Sequence, residues 1–156
     1  MSPELPQSVS SYLEQHRVMT LATCGPDGPW AAAVFYVSVG STLYFLSSPS
    51  SRHCRNLTLD PRCAATVQED DGDWARIKGI QLEGQASEVH GDEARLARQR
   101  YGDKFPLVGR LASAPAVIVA ALAKVHWYRL QPRHMHFIDN SRGFGHRELV
   151  DLGRGP

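Results

Sequence analysis

The sequence predicts a mainly β fold: an antiparallel barrel of six or seven strands with a few peripheral helices. Short runs rich in β-branched and aromatic residues recur along the chain, and turns rich in Gly and Pro separate most of them. Helical periodicity is confined to a few segments. Because so few helices are available to cover an open sheet, and because closure removes unpaired strand edges, we expect a barrel.

Length and composition are those of one globular domain. The chain has 156 residues, of which 42% are hydrophobic and 21% are charged, so a core can form without disulfides. We therefore expect a single domain over residues 1–156, with an N-terminal helix within residues 1–16 and a C-terminal tail at 139–156.

Charge and cysteine content argue against several classes of protein. Seventeen Lys and Arg residues oppose sixteen Asp and Glu residues, for a net charge of +1, whereas nucleic-acid-binding domains usually carry a basic excess. No apolar run is long enough to predict a membrane span, and no signal peptide is apparent. The three cysteines follow no motif spacing and are expected to stay reduced, as in a cytoplasmic protein.

The first third of the chain predicts a helix and three strands. Apolar residues at helical spacing indicate an amphipathic helix over 8–16. A β-branched strand follows at 18–23, and the Gly- and Pro-rich stretch 25–29 predicts a hairpin turn. The next strand, 30–39, is apolar enough for us to expect burial on both faces, and a third strand follows at 42–47.

The middle of the chain predicts another helix and two more strands. Ser48 and the proline after it are typical of an N-cap and a first helical residue, so a helix is expected from there to Leu59. Residues 63–68 predict a fourth strand. Residues 76–89 predict a long fifth strand with a bulge near Gly79.

The last third combines helices with two late strands. Residues 91–105 predict a helix that the next proline interrupts. Residues 107–124 are expected to be helical, although a Val-Ile-Val run within them favours a strand. Two strands are expected at 125–130 and 134–138, because a Gln-Pro step separates them.

A serine cluster at the start of the second predicted helix suggests an anion site. An apolar strand leads into Ser47, Ser48 and Ser51, and Arg52 and His53 follow. Free N–H groups at a helix N-terminus favour an anion, and an Arg can bind a phosphate through two nitrogens. Serines also cap helices and an Arg is often only a solvated charge, so these residues alone leave both interpretations open.

The same stretch resembles a family signature. Residues 47–62 contain the pattern Ser47-x-x-x-Ser51-Arg52-His53-x-x-Asn56-Leu57-x-x-Asp60-Pro61-Arg62. It is similar to the signature of the pyridoxamine 5'-phosphate oxidase-like FMN-binding split barrels. The resemblance implies a split β-barrel and an FMN phosphate site made by Ser47, Ser48, Ser51, Arg52 and His53. His53 stands where that family usually has a lysine.

The resemblance extends to the strands that would contact the flavin ring. In the family, the strand that matches Val34, Phe35 and Tyr36 runs along the isoalloxazine ring. The long strand that matches residues 76–84 supplies flavin contacts in the dimer, which implies roles for Arg76, Lys78 and Gln81.

Arg76 and Lys78 are expected to alternate on one strand face as donors to the flavin ring, with two solvated charges as the alternative. The C-terminal Asp-Asn-x-x-Gly-Phe-Gly run, which contains Phe144, resembles a narrower group of small uncharacterised bacterial split barrels. Trp74, Trp127 and Phe144 are candidates for stacking on the ring, or for ordinary core packing.

Besides His53, two positions depart from the family pattern. The oxidase itself has an Arg and a Lys on the strand where this chain has Ala32 and Val37. Pyridoxamine-phosphate oxidation is therefore not expected. FMN is the expected cofactor, with the deazaflavin F420 and haem as alternatives used on this fold.

The resemblance implies a homodimer whose sites borrow residues from both chains. The expected function is a flavin-dependent oxidoreductase or reductase that acts on a small substrate with a donor such as NAD(P)H, with no catalytic residue assigned. The alternative is a non-catalytic module that binds flavin or haem. His134 and His136 share a strand face and are candidate haem or metal ligands, but the lack of a third ligand favours plain exposed histidines and no metal site.

Overall fold

The computed structural model describes residues 4–153, and its main feature is a ring of antiparallel strands. The strands are β1 (Val18–Gly25), β2 (Gly28–Val39), β3 (Thr42–Ser47), β4 (Arg62–Gln68), β5 (Lys78–Glu88), β6 (His126–Asp139) and β7 (Arg147–Leu149). The helices are α1 (Gln7–Gln15), α2 (Arg52–Leu59), α3 (Gly91–Lys104), α4 (Pro106–Gly109) and α5 (Ala116–Leu122). This confirms the predicted fold class, a mainly antiparallel β-barrel with peripheral helices.

Pairing closes the sheet into a six-stranded barrel. The strand order is β3-β2-β1-β4-β5-β6, and β3 pairs in turn with β6. β5 lines one side of β6, whereas the other side pairs first with β3 and then with the short β7. The two halves of β6 therefore have different neighbours, which is the feature that makes the barrel split.

Two apolar clusters hold the layers together. The larger fills the barrel and includes Phe45, Met135 and Leu21, none of which is exposed. The smaller lies outside β2, β3 and β6, where Tyr44 and Val37 pack against Ala97 and Tyr101 of α3. The side chains of β3 therefore alternate between the barrel interior and the helical layer.

The N-terminal helix lies within one residue of the predicted bounds 8–16. It spans Gln7–Gln15 and is tied to the barrel by Tyr36, whose hydroxyl donates to the Leu13 carbonyl at 2.8 Å. Residues 1–3 of the expected helical segment 1–16 and residues 154–156 of the expected tail lie outside the described residues.

The prediction that β2 is buried on both faces is wrong. Its first half lies on the barrel wall with no helix over it, so Ala31 and Ala33 are exposed and Phe35 is 54% exposed. Only from Val37 onward does α3 cover the outer face. The apolar composition of this strand is therefore not explained by burial within one chain.

The C-terminal strands are one strand, not two. β6 runs without a break through Pro132, which is accommodated because the register with β5 shifts at Glu83 and Gly84. One residue of β6, Arg133, is left unpaired there. The bulge predicted near Gly79 is thus at the wrong position.

Two smaller corrections concern where elements begin. α2 starts at Arg52 rather than at Ser48, because Ser51 is the N-cap and its Oγ accepts from the Cys54 N–H at 3.3 Å. Arg76 lies in a 3₁₀ turn before β5, which starts at Lys78. The two cations therefore do not alternate along a strand as predicted.

The segment 107–124 is helical, as predicted, but in three pieces: α4, a 3₁₀ turn at Leu111–Ser113, and α5. Pro115 precedes α5 and ends the preceding turn. Within residues 4–153, no helix combines the length and the apolar character needed to cross a membrane.

Candidate functional site

Three polar side chains meet where β3 ends and α2 begins. Ser47 Oγ lies 2.5 Å from His53 Nε2, Ser51 Oγ lies 3.3 Å from the same nitrogen, and the two hydroxyl oxygens are 3.5 Å apart. We call Ser47, Ser51 and His53 the serine–histidine cluster. It brings three of the predicted phosphate ligands into one place beside the first turn of α2.

Local structure fixes the cluster. Ser47 is the last residue of β3 and is buried, and the turn that follows is closed by a hydrogen bond from the Ser51 N–H to the Ser48 carbonyl at 3.0 Å. α2 is anchored in the barrel by Leu57 and by Asn56, whose Nδ2 donates to Thr23 Oγ1 at 3.1 Å. The free N–H groups of the first turn of α2 therefore sit at a fixed position beside two hydroxyls.

Arg52 lies beside the cluster but points toward the β1–β2 turn. Its guanidinium is 4.4 Å from the ring centroid of Trp30, and Nη2 donates to the Asp27 carbonyl at 3.2 Å. Among residues 4–153 no carboxylate pairs with it. Ser48 Oγ is hydrogen-bonded to Ser50 Oγ at 2.8 Å rather than to the cluster.

The thiol of Cys54 lies under the cluster and is 1% exposed. Burial raises its pKa, but hydrogen bonds with His53, Ser51, Tyr128 and Ser47 outweigh that effect and lower the pKa to about 7. Burial alone acts on Cys63, and the pKa of that thiol rises to about 12. The polar cluster is thus the reason why one buried cysteine favours the thiolate and the other does not.

This difference predicts a pH dependence of stability. Because folding lowers the pKa of Cys54 from about 9 to about 7, the unfolded chain binds more protons between these values, and stability rises with pH across that interval. The contribution is complete above pH 9 and is lost as the pH falls through 7. Urea unfolding at several pH values should show that the free energy of unfolding rises less steeply with pH in Cys54→Ala than in the wild type. Cys63→Ala should keep the wild-type slope, and an unchanged slope in Cys54→Ala would contradict the assignment.

The predicted ring-contacting strand offers mainly backbone. The side chains of Val34 and Tyr36 point into the barrel and are buried, whereas Phe35 points outward and meets Phe105 edge-on, with ring centroids 5.5 Å apart. A ligand outside the barrel can therefore contact only main-chain groups and Phe35 on this stretch.

The remaining predicted residues form a second group near the start of β5. Arg76 pairs with Asp71 at 3.3 Å and Asp73 at 3.7 Å. Phe144 stacks on Trp74 with centroids 5.8 Å apart, and both rings are more than two thirds exposed. Lys78 is half-buried opposite Asp139, and Gln81 is exposed on the outer wall. Among residues 4–153 no hydrogen bond or ring contact joins this group to the serine–histidine cluster.

The outer wall between the two groups is flat and carries small side chains. Ala31, Ala22 and Ala64 are in register across β2, β1 and β4 and are all exposed. We call the exposed outer face of these strands the alanine wall. No helix of the described chain covers it, in contrast to the face under α3.

His134 and His136 lie on the outer face of β6, as their spacing predicts. His134 Nδ1 is 2.7 Å from Glu83 Oε1, and a cavity of about 310 Å³ adjoins both histidines and Arg147. The hydrogen bond to Glu83 leaves Nε2 of His134 as the free ring nitrogen.

Sequence reasoning missed three side chains at the cluster. Trp30 stacks with Arg52, and Tyr128 reaches Cys54 from β6. Neither contact has a local signal, since both join residues far apart in the chain. The third is Cys54, for which the cysteine spacings predict no role, although its buried thiol is hydrogen-bonded to His53.

Comparison with known proteins identifies the family of this chain. The family model described as pyridoxamine 5'-phosphate oxidase matches residues 5–138, which span α1 and nearly all of the six barrel strands. The chain belongs to this family.

Among the proteins that are similar to this chain is a UPF0306 protein from Klebsiella pneumoniae. It is 31% identical over 140 residues, covering 88% of this chain and 87% of the relative. The heme storage protein HutZ of Vibrio cholerae superposes with a TM-score of 0.66 at 20% identity, covering 97% of this chain and 98% of that one. A heme binding protein from Mycobacterium smegmatis has a TM-score of 0.70 at 24% identity, covering 95% of this chain and 59% of that one.

Proposed function

We propose that this protein is an FMN-binding flavoprotein that acts as an oxidoreductase on a small substrate. The observation that carries the proposal is the serine–histidine cluster at the N-terminus of α2, in a chain of the pyridoxamine 5'-phosphate oxidase family. Two hydroxyls, a ring nitrogen and the free amides of a helix end suit the phosphate of FMN.

Each residue of the site has a distinct part in holding the phosphate. Ser47 and Ser51 offer hydroxyl donors, and His53, whose Nε2 is hydrogen-bonded to both, orients those hydroxyls toward the phosphate. Arg52 supplies the positive charge, because no carboxylate of residues 4–153 neutralises it and only Trp30 and a carbonyl oxygen hold it. The bound flavin would supply hydride or electron transfer, and the protein orients the ring and excludes water.

The proposal includes a homodimer. The alanine wall and Phe35 form an apolar face that residues 4–153 leave exposed, and such faces mark interaction surfaces. A second copy packed on that wall would bring its own Lys78, Gln81 and Phe144 toward the first copy's cluster. This arrangement accounts for two groups of candidate residues that do not touch within one chain.

Pyridoxamine 5'-phosphate is not the proposed substrate. Ala32 and Val37 occupy the positions where the oxidase pattern has an Arg and a Lys, and Val37 is buried against α3. Neither side chain can bind a second phosphate. We propose instead a smaller substrate and an NAD(P)H-type donor, with the protein in the cytoplasm.

The first test is the visible absorption spectrum of the purified protein, before and after addition of FMN. Two flavin bands, or saturable quenching of FMN fluorescence, are expected. F420 should be titrated in parallel, because its phosphate is a diester rather than the monoester of FMN and its spectrum is different. Absence of FMN binding would overturn the proposal, whether or not F420 binds. Binding without turnover of NAD(P)H and an acceptor would leave a non-catalytic flavin module.

Haem is a second candidate cofactor because of one observation on the outer face of β6, away from the serine–histidine cluster. The Nδ1 of His134 is held by Glu83 at 2.7 Å, and such a partner fixes the free Nε2 of a histidine as an iron ligand. Arg147, on the same cavity, would suit a propionate. The fold neighbours described as haem-binding proteins are too dissimilar in sequence to carry this role over.

The haem candidate has a matched control. His126 also has its Nδ1 on a glutamate, Glu88, and is 49% exposed against 53% for His134. A Soret band after addition of haem that His134→Ala removes and His126→Ala keeps would favour this candidate. A Soret band that survives in both variants, or no band at all, would exclude His134 as the ligand.

A further inference from the structure

A separate cavity lies under α5, on the other face of β3 from the serine–histidine cluster. Leu46 packs into the outer apolar cluster, whereas Ser47, the next residue along the strand, faces the opposite way. Leu46 and Trp127 are in register across β3 and β6 and form the floor of the cavity. Val119 and Leu122 of α5 form its roof. We call this space of about 250 Å³ the α5 chamber.

The α5 chamber opens into a broader basic groove. The groove measures about 740 Å³ and is lined by Arg95, Arg98 and Arg110, with Asp103 as its one acidic residue. Arg98, Val108 and Leu111 line both spaces. Arg95 pairs with Asp92, but among residues 4–153 no carboxylate forms an ion pair with Arg98 or Arg110. Arg98 therefore places an uncompensated positive charge where the apolar space meets the groove.

A glycine crossing sets the geometry of this junction. A Cβ at Gly109 would lie 2.8 Å from the carbonyl oxygen of Gly102, so α3 and α4 meet backbone to backbone. Only glycine permits that approach. α4 is thereby held against α3. The chain after α4 passes over Trp127, and α5 forms the roof of the chamber.

We propose that the α5 chamber binds a small amphipathic carboxylate, with the apolar body inside and the carboxylate on Arg98. An apolar cavity of about 150 Å³ accommodates benzene, so 250 Å³ corresponds to about ten carbon atoms on that scale. The charge at the mouth selects an anion over a neutral hydrocarbon of the same size. A docked protein segment is disfavoured, because the apolar lining is concave and small. This site does not depend on the proposed flavin function.

Decanoate is the probe, added to the full-length, ¹⁵N-labelled protein below its micelle concentration. Saturable shifts are expected in the Trp127 indole N–H signal but not in those of Trp30 and Trp74. Arg98→Gln should weaken binding at least about tenfold. The matched control is Arg100→Gln, an exposed Arg on the same helix that lines neither space, and it should bind as the wild type does. Acetate, which has the charge without the apolar body, should not shift Trp127.

A second variant controls for the case in which Arg98→Gln alters the structure of α3 beyond this side chain. Ala123→Phe places a ring in the chamber and should abolish decanoate binding with Arg98 intact. The proposal is overturned by absence of a Trp127 shift in the wild type, or by equal affinity in wild type and Arg98→Gln. Arg52→Ala should bind decanoate normally, so loss of the flavin site and loss of this site are distinguishable.

Discussion

Replacing Arg52 with alanine is expected to weaken FMN binding by about 1.5–3 kcal/mol, roughly ten- to a hundredfold in Kd. Arg52 is placed beside the serine–histidine cluster by the cation–π contact with Trp30 and the hydrogen bond to the Asp27 carbonyl. Neither contact neutralises its charge. A phosphate at the start of α2 would therefore gain a charge-assisted contact that alanine cannot offer. Quenching of FMN fluorescence measures the change.

Arg55→Ala is the matched control for this prediction. Arg55 lies one turn along on the same helix, is exposed, and donates to the Ser50 carbonyl at 2.6 Å. Its removal changes the net charge equally, so a general electrostatic effect would weaken FMN in both variants. A loss confined to Arg52→Ala supports the site, and an unchanged Kd in that variant would place the phosphate elsewhere.

Gly84→Ala is expected to cost about 3 kcal/mol of stability, the largest effect of a single methyl group that the fold implies. A Cβ at Gly84 would lie 2.1 Å from the Gln131 carbonyl oxygen and 2.9 Å from Pro132 Cα. Both neighbours are backbone atoms of β6 at the register shift, so no side chain can rotate away. The strands must separate or the bulge must be rebuilt. Urea unfolding midpoints measure the loss.

Gly72→Ala serves as the comparison. A Cβ at Gly72 meets nothing within 4 Å, and Gly72 is not among the glycines with positive φ. Alanine lowers the conformational entropy of the unfolded chain, so this variant should be as stable as the wild type or more stable by up to about 1 kcal/mol. Equal unfolding midpoints for Gly84→Ala and wild type would show that β5 and β6 adapt more freely than the bulge implies.

The strands were largely predictable, because each carries its own local pattern. Thr42–Ser47 has the predicted bounds, and the turn at Pro26 and Asp27 lies within the Gly- and Pro-rich stretch that predicts it. The errors arise where tertiary contacts override local preference. Pro132 does not end a strand because Gly84 lets the partner shift register. The outer face of the first half of β2 stays exposed because no helix among residues 4–153 covers it.

The candidate site was predictable only in part. A strand leading into serines at a helix start is a local signal, and it located Ser47, Ser51 and His53 correctly as neighbours. The direction of Arg52 depends on Trp30 of β2. The lowered pKa of Cys54 depends on hydrogen bonds with its neighbours His53 and Ser51 and also on one with Tyr128 of β6. Phe144 and Lys78 lie apart from the cluster in the folded chain, and only the proposed homodimer would bring copies of them to it.

The pairing that closes the barrel also sets the order in which it can form. β1 and β2 join through a two-residue turn, whereas β3 must find β6 across the whole middle of the chain. Loop-closure entropy opposes the distant pair until the intervening strands have assembled. We expect refolding to be limited by this last ladder, with amides of the β1–β2 hairpin protected from exchange before those of Leu43 and Leu130. A nascent chain would then expose the edge of β3 until β6 has been synthesised.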